Sequence, residues 1–305
     1  MPSSTHLGSG SGQSWFVSAR AGTLVARREL LDRLPRGLAA ALADHDALIE
    51  EIWSDGPRVF LRAGSRSGAL FARFSHDRLD EARYAHELAA RREVGTRGLL
   101  RTPVVLDSGP GWFLEVAVEA QPCRGAHAID TVVAAASAVA DLRLPNAPRT
   151  GHWYSRAWRT LSLISRIRAS ELRYADYHAS LRALAACRLP LVTSHGDFRP
   201  ENVLLHAGAA WVVDWEYSGR RPAGYDLMQF WCELEREGDR GRLFASVLEL
   251  VGVKWRNELE RLRYAVVVRT VAEQLLYGEQ GRRAQRRGER LSALLSEARR
   301  TAGAA

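Results

Sequence analysis

The sequence predicts an α+β chain in two parts, a β-rich segment followed by a mainly helical one. Three observations lead there. Between Ala47 and Val118, short apolar runs alternate with turn residues at close spacing. From Ala128 onward, longer stretches carry apolar residues at helical spacing. At 305 residues the chain exceeds the usual size of a single core, so more than one unit is expected.

The elements follow in order. Residues 1–14, rich in Ser and Gly, read as a flexible tail without the apolar region of a secretory leader. Leu24 to Ala43 has helical apolar spacing interrupted by Pro35 and Gly37, which predicts one or two short helices. Strands are predicted over Ala47–Trp53, Val59–Ala63 and Ala69–Phe74, separated by turns at Ser54-Asp55-Gly56-Pro57 and Gly64–Gly68. A helix over Asp80–Arg92 comes next. Two strands, Pro103–Leu106 and Trp112–Val118, then flank the Gly109-Pro110-Gly111 turn. The character changes between Glu119 and Gly125, which divides the chain into residues 15–119 and 120–305. Ile129–Leu142 is an Ala/Val-rich helix, and Trp153–Ala169 and Leu172–Ala186 read as further helices. Pro190–Leu205 and Ala210–Asp214 form a short β-containing insert, and the chain after Tyr225 is helical nearly to its end.

Composition narrows the function classes. Apolar residues make up 46% and charged residues 26%, the balance of a globular protein with a sizeable core. The net charge is +8, and Lys254 is the single lysine among 43 basic residues. An arginine excess of this kind reflects either a GC-rich genome or a surface that attracts oxyanions. Its densest cluster, Arg282, Arg283, Arg286, Arg287 and Arg290, is interleaved with Glu279, Glu289 and Glu297, so it reads as a solvated helix face rather than a nucleic-acid site. Cys123, Cys187 and Cys232 form no CxxC pair, which excludes a zinc knuckle or a disulfide framework and fits a reducing cytoplasm. No apolar run reaches the roughly 18–20 residues of a membrane span, so no membrane partner is expected.

The chemistry concentrates in Ser194-His195-Gly196-Asp197-Phe198-Arg199-Pro200-Glu201-Asn202, which precedes an apolar strand, Val203 to Leu205. A turn at Gly208 leads to a second apolar strand, Trp211 to Val213, which ends at Asp214. This is a β-hairpin with polar ends, and it can gather Asp197, Asn202 and Asp214 near one of them. An amide oxygen with a carboxylate suits a hard cation such as Mg²⁺. A further carboxylate can orient an alcohol or accept its proton. A lone histidine or aspartate in such a loop can equally cap a turn, so the reading rests on the whole constellation.

That constellation resembles the catalytic loop and metal-binding segment of aminoglycoside phosphotransferase and choline kinase-like enzymes. The resemblance implies a bilobal protein-kinase-like fold, with residues 15–119 as a nucleotide-binding lobe and 120–305 carrying the catalytic loop, metal site and substrate helices. It implies an enzyme that moves a phosphoryl group from ATP or GTP to an alcohol with Mg²⁺. Asp197 matches the catalytic aspartate, Asn202 and Asp214 the magnesium ligands, and His195 a structural loop histidine. Asp226, in Gly224-Tyr225-Asp226-Leu227, resembles the aspartate that buttresses the loop from the next helix, and Glu216 belongs to the Asp-Trp-Glu form of the motif.

The N-terminal part departs from the family pattern. Arg73 stands where a phosphate-contacting lysine is expected, and the two cations are not equivalent. Glu87 is its expected ion-pair partner, with Glu81 the alternative, and either reads as well as a solvated helix glutamate. The turn Ser54-Asp55-Gly56-Pro57-Arg58 has one glycine and makes a thin phosphate loop. The backbone from Glu115 through Val116 to Val118 is expected to meet adenine.

A sugar, an aminoglycoside-like or a choline-like alcohol is the expected acceptor. Trp153, Tyr154, Trp158, Trp231 and Trp255 either line its pocket or pack in the core. Two alternatives remain: a peptide Ser/Thr kinase of natural-product maturation, and a pseudokinase-type scaffold motivated by Arg73. The intact Asp197, Asn202 and Asp214 argue against the scaffold.

Overall fold

The structure, a computed structural model, describes residues 24–144, 172–277 and 282–303, apart from 99, 126, 127 and 207. The expected tail (1–14) and the Trp153–Ala169 helix lie outside the described residues. The chain is α+β and bilobal, dividing into two compact units. One comprises the chain up to Glu81 with Val104–Gln121, and the other Ala82–Pro103 with the chain from Pro122 onward.

The first unit is built on five antiparallel strands: β1 (Leu48–Asp55), β2 (Arg58–Ser65), β3 (Gly68–Ser75), β4 (Val105–Gly109) and β5 (Trp112–Val116). Their order across the sheet is β1-β2-β3-β5-β4. The period of two turns Val59, Leu61, Ala63, Leu70, Ala72 and Phe74 to one face. There they share a core with Leu30 of α1 (Leu24–Asp32) and Leu38, Ala41 and Leu42 of α2 (Arg36–Asp44). Pro35, at the N-cap of α2, splits the predicted helical stretch in two, as its missing N–H requires. On β1–β3 the rings of Trp53, Phe60 and Phe71 pack with centroids 5.8–6.2 Å apart. β4 begins two residues later than the sequence suggests, and a register irregularity follows Val105. Pro103 cannot donate to the ladder, which accounts for the late start.

Helix α3 (Arg78–Arg97) outruns its predicted bounds at both ends. Its first turn carries Asp80, which accepts a hydrogen bond from Arg58 at 2.8 Å.

The second unit is helical around one hydrophobic core. Its helices are α4 (Ile129–Ala140), α5 (Tyr174–Ala186), α6 (Tyr225–Glu233), α7 (Glu237–Val251), α8 (Arg256–Tyr277) and α9 (Arg282–Gly303). α8 is the central element and packs against α5, α6 and α9. β6 (Gln121–Pro122) is a two-residue strand where the chain passes from the first unit to the second, and four further short strands break the helical pattern and carry the loops of interest. β7 (Leu191–Ser194) pairs antiparallel with β10 (Gly219–Pro222), and β8 (Val203–His206) forms the predicted hairpin with β9 (Ala209–Val212). β10 was not foreseen, because Gly-Arg-Arg-Pro has neither alternation nor β-propensity.

Ion pairs fasten α9 to this unit. Asp176 of α5 accepts from Arg299 Nε at 2.9 Å, from the Arg173 N–H at 2.8 Å and from the Tyr264 hydroxyl at 3.3 Å. Burial by itself would raise the Asp176 carboxyl, but the Arg299 and Arg173 hydrogen bonds outweigh it and hold the group below its usual value. A carboxylate with a depressed folded pKa stabilises the fold above its unfolded pKa, roughly 3.9, and loses that contribution as pH falls through the folded value. Asp176→Asn is therefore expected to lower the unfolding free energy by about 2–3 kcal/mol at neutral pH. Urea unfolding at pH 7 and at pH 3 checks both parts, since the gap between variant and wild type should narrow at the lower pH.

Candidate active site

The loop after β7 is held from α6. Asp226 sits in the first turn of that helix, where the helix dipole favours an anion, and it is 6% exposed. Its carboxylate accepts from Ser194 Oγ at 2.5 Å, from the His195 N–H at 2.7 Å and from the Gly196 N–H at 2.9 Å. Two residues beyond Gly196, the Phe198 amide donates to Gln229 Oε1 on the same helix at 3.2 Å. Gly196 has φ of +83°, a left-handed conformation that glycine adopts without penalty.

His195 joins the loop to the following hairpin. Its Nε2 donates to the carbonyl of Val213 at 2.9 Å, and its Nδ1 then accepts from the Asp197 N–H at 3.3 Å. The ring is fully buried and meets Trp215 edge-on with centroids 4.9 Å apart. Val213 also donates its N–H to the carbonyl of Asn202 at 3.0 Å. Asp214 therefore leaves β9 from a residue bonded to both ends of the loop. Asp214 itself has φ of +64° and ψ of +59°, a left-handed backbone unusual outside glycine and best tolerated by Asp and Asn. It opens the 3₁₀ turn Trp215–Tyr217, in which Trp215 and Glu216 are buried.

Asp197 is 4% exposed and doubly held. Asn202 Nδ2 donates to its carbonyl at 2.8 Å and to Oδ2 at 3.0 Å, and Arg199 Nη2 donates to Oδ2 at 2.6 Å. Burial alone would raise the Asp197 carboxyl. Arg199, joined by Arg269, outweighs burial and keeps it below the usual carboxylate range. Because Asn202 directs its NH₂ to Asp197, its Oδ1 is the atom it offers a cation. That amide oxygen and the Asp214 carboxylate are the candidate donors, hard oxygens of the kind magnesium takes. Among the described residues no group of three or more His, Cys, Asp and Glu gathers into a metal site. A magnesium ion held mainly by substrate phosphates needs only one or two protein oxygens, so a two-residue set is consistent with one.

Several contributors were not singled out from sequence. Arg199 carried a signal, its position two residues after Asp197. His86 on α3 carried none: its Nε2 lies 2.9 Å from both the carbonyl and the hydroxyl of Ser218, just beyond the 3₁₀ turn. Arg221 and Arg269, both buried, also act on Asp197 electrostatically.

The remaining predicted residues lie as follows. Glu87 is fully buried and accepts from Arg91 at 2.7 and 3.0 Å, so the solvated-glutamate reading is corrected. Arg73, in the first unit, is 5% exposed, pairs in register with Phe60 and Phe113, and places its guanidinium carbon 4.5 Å from the Phe113 ring centroid. Glu115 is buried, Val116 exposed and Val118 half-buried. The N–H groups of Val116 and Ala117 are committed to the carbonyls of Val104 and Ala69, which moves the candidate backbone donor for a base to Val118 and beyond.

Trp231 is 2% exposed, and Arg263 and Arg240 lie 5.2 and 5.7 Å from its ring, which makes it a core residue. Trp153, Tyr154 and Trp158 lie outside the described residues. Burial pushes the thiols of Cys123 and Cys232 up to about 11 and about 12, so neither is a poised nucleophile.

A family model, described as the phosphotransferase enzyme family, matches residues 48–265. Among solved structures, ethanolamine kinase of Plasmodium vivax is 13% identical with a TM-score of 0.61, covering 84% of each chain. A choline/ethanolamine kinase family protein from Mesorhizobium loti is 20% identical with a TM-score of 0.58, over 91% of this chain and 97% of the other. A macrolide 2'-phosphotransferase from Brachybacterium faecium is 16% identical with a TM-score of 0.57, over 85% and 97%. These likenesses are of fold. No curated protein sequence matches the chain.

Gly196 gives the sharpest local prediction. A Cβ there would stand 2.6 Å from Cζ of Arg221 and closer still to the Tyr217 carbonyl oxygen, on a backbone that disfavours L side chains. Gly196→Ala is expected to cost about 2–4 kcal/mol, read from the denaturant midpoint. A variant within about 0.5 kcal/mol of wild type would mean the loop is looser than this packing implies.

Proposed function

We propose that this chain, which belongs to the phosphotransferase enzyme family, transfers the γ-phosphoryl group of ATP or GTP to the hydroxyl of a small molecule. The observation that carries the reading is the setting of Asp197: a buried carboxylate held between the Asn202 amide and the Arg199 guanidinium, on a loop strapped to Asp226. The names of the structural relatives, kinases and phosphotransferases of small molecules, support the same class of reaction.

The roles follow from the chemistry of each group. Asp197 hydrogen-bonds the acceptor hydroxyl and aims it. A carboxylate kept below its usual range is a weak base, so it takes the proton as the new P–O bond forms rather than before. Asn202 Oδ1 and the Asp214 carboxylate are the proposed magnesium ligands. Magnesium, when bound, supplies charge neutralisation at the phosphate oxygens. His195, Glu216 and Asp226 support the loop. On the first unit, Arg73 is the proposed phosphate contact. Backbone donors from Val118 onward are the proposed adenine contacts. An arginine at position 73 keeps the charge but differs from lysine in length and planarity. Among the described residues no helix is long and apolar enough to cross a membrane. The absence of a CxxC pair supports a reducing cytoplasm as the site of action.

The test is thermal unfolding with and without Mg-ATP and Mg-GTP. Ligand at about 100 times its Kd stabilises the native state by about 2.7 kcal/mol. Wild type should show a magnesium-dependent rise in midpoint. Asp214→Asn, which keeps the left-handed backbone tolerable, should fold normally and lose that rise. Asp197→Ala should retain the rise and lose turnover by at least about 100-fold in an acceptor screen. No rise in wild type with either nucleotide would sink the reading and leave a binding module in its place, with Arg73 as its cause.

A further inference from the structure

Strand β10 has no part in the roles above, yet one of its side chains touches all three segments that carry them. Arg221 is 2% exposed. Its Nη2 donates at 2.6 Å to the carbonyl of Tyr217, the last residue of the 3₁₀ turn after Asp214. Its guanidinium packs against Gly196, filling the space where a side chain would otherwise stand. Its Cζ also lies 5.3 Å from the ring centroid of Tyr225, the residue before Asp226. A second guanidinium, that of Arg269 on α8, lies 5.7 Å from the same ring and is held by Glu273 at 2.6 Å.

We propose that Arg221 is a positioning residue. By bridging the Asp197 loop, the turn after Asp214 and the start of α6, it fixes the spacing between the acceptor-orienting carboxylate and the metal-binding one. The inference rests on the phosphotransfer reading.

Three arguments support it. First, the geometry asks for a planar fork. One edge must donate to a carbonyl while the plane lies beside a glycine and faces a ring, which an ammonium cannot do. Second, the burial is costly. Replacing a buried charge by an apolar side chain of similar volume is often neutral or stabilising, so an arginine here is a poor choice for stability alone. Third, the surrounding charges couple it to the site. Arg221 is faced by Asp226, Asp197 and Glu273, and Arg269 adds a like charge. Burial lowers its own pKa to about 10, which leaves it protonated at neutral pH.

The test compares wild type, Arg221→Met and Arg221→Lys. The probes are Mg-ADP binding by calorimetry, single-turnover hydrolysis of Mg-ATP with water as acceptor, and amide hydrogen exchange over Gly196–Phe198 and Trp215–Ser218. Arg221→Met is expected to bind Mg-ADP within about 3-fold of wild type. Its hydrolysis should slow by about 100-fold, the scale of a misplacement of about 1 Å. Both backbone segments should lose protection together. Arg221→Lys, which keeps the charge, should fold and recover part of the rate.

A folded Arg221→Met that hydrolyses at the wild-type rate, or exchange that rises in neither segment, would overturn the inference. If Arg221→Met does not fold, Arg221→Lys decides, and a wild-type rate in it overturns the inference as well. A wild type that neither binds Mg-ADP nor hydrolyses Mg-ATP defeats the functional reading instead, and the exchange experiment still judges the bridge.

Discussion

A single carboxylate sets the register of everything at the candidate site. Asp226 is nearly buried, and an anion in that position would be expensive if left to itself. Three short hydrogen bonds from Ser194, His195 and Gly196, together with the N-terminal end of α6, offset the cost. The consequence is mechanical. α6 belongs to the core through Leu227, Phe230 and Trp231, so the loop inherits the rigidity of the best-packed part of the molecule. Asp197 and Asn202 follow within the same turn of chain. His195 then passes the constraint to Val213 and so to the base of Asp214.

Charge is organised in the same way, from the inside. The +8 net charge left open a surface that attracts oxyanions, but the arginines nearest the candidate site lie mostly inside. Arg221 and Arg269 lie around the Tyr225 ring and Arg91 is locked to Glu87, while the half-exposed Arg199 reaches in to Asp197. Guanidinium suits these places because it stays protonated when desolvated, stacks on rings and spreads its charge. With a single lysine in the chain, the interior has been solved in arginine throughout, and position 73 is one instance of that rule. The aspartate at the centre is consequently held ionised by its neighbours, which favours a role in aiming a hydroxyl over early proton removal.

The hairpin and the loop were legible in the sequence because their information is local. Two apolar runs around Gly208 dictate β8 and β9, and the five-residue step from Asp197 to Asn202 lets one side chain reach the other. What could not be read has its cause far along the chain or lacks a pattern. Gly-Arg-Arg-Pro forms a strand only because β7 is there to pair with it. His86 reaches Ser218 across 132 residues, and nothing near it in sequence marks it out. For Glu87 the sequence left a solvated helix glutamate open beside the ion-pair reading, because α3 alternates charged and small residues without a clear apolar stripe. Its burial follows from packing that local spacing does not encode. At the end of β5, the bonds from Val116 and Ala117 to Val104 and Ala69 continue the sheet past the strand, which local spacing does not show.

Trp231, weighed from sequence as either pocket or core, and its neighbour Glu233 are engaged from within the chain. Glu233 is clasped by Arg287 and by Arg290, the latter at 3.0 Å, so its charge is neutralised from within the chain. Trp231 has guanidiniums near its ring, and Phe244 has that of Arg263 at 5.3 Å. A quaternary or amino head group would have to displace these internal cations before it could use the same faces. Displacement would strand a buried guanidinium, which costs far more than the roughly 0.5–2 kcal/mol that a new cation–π contact returns. Under the proposed reading, Trp231, Glu233 and Phe244 are thus structural and recognition of an acceptor falls to other groups.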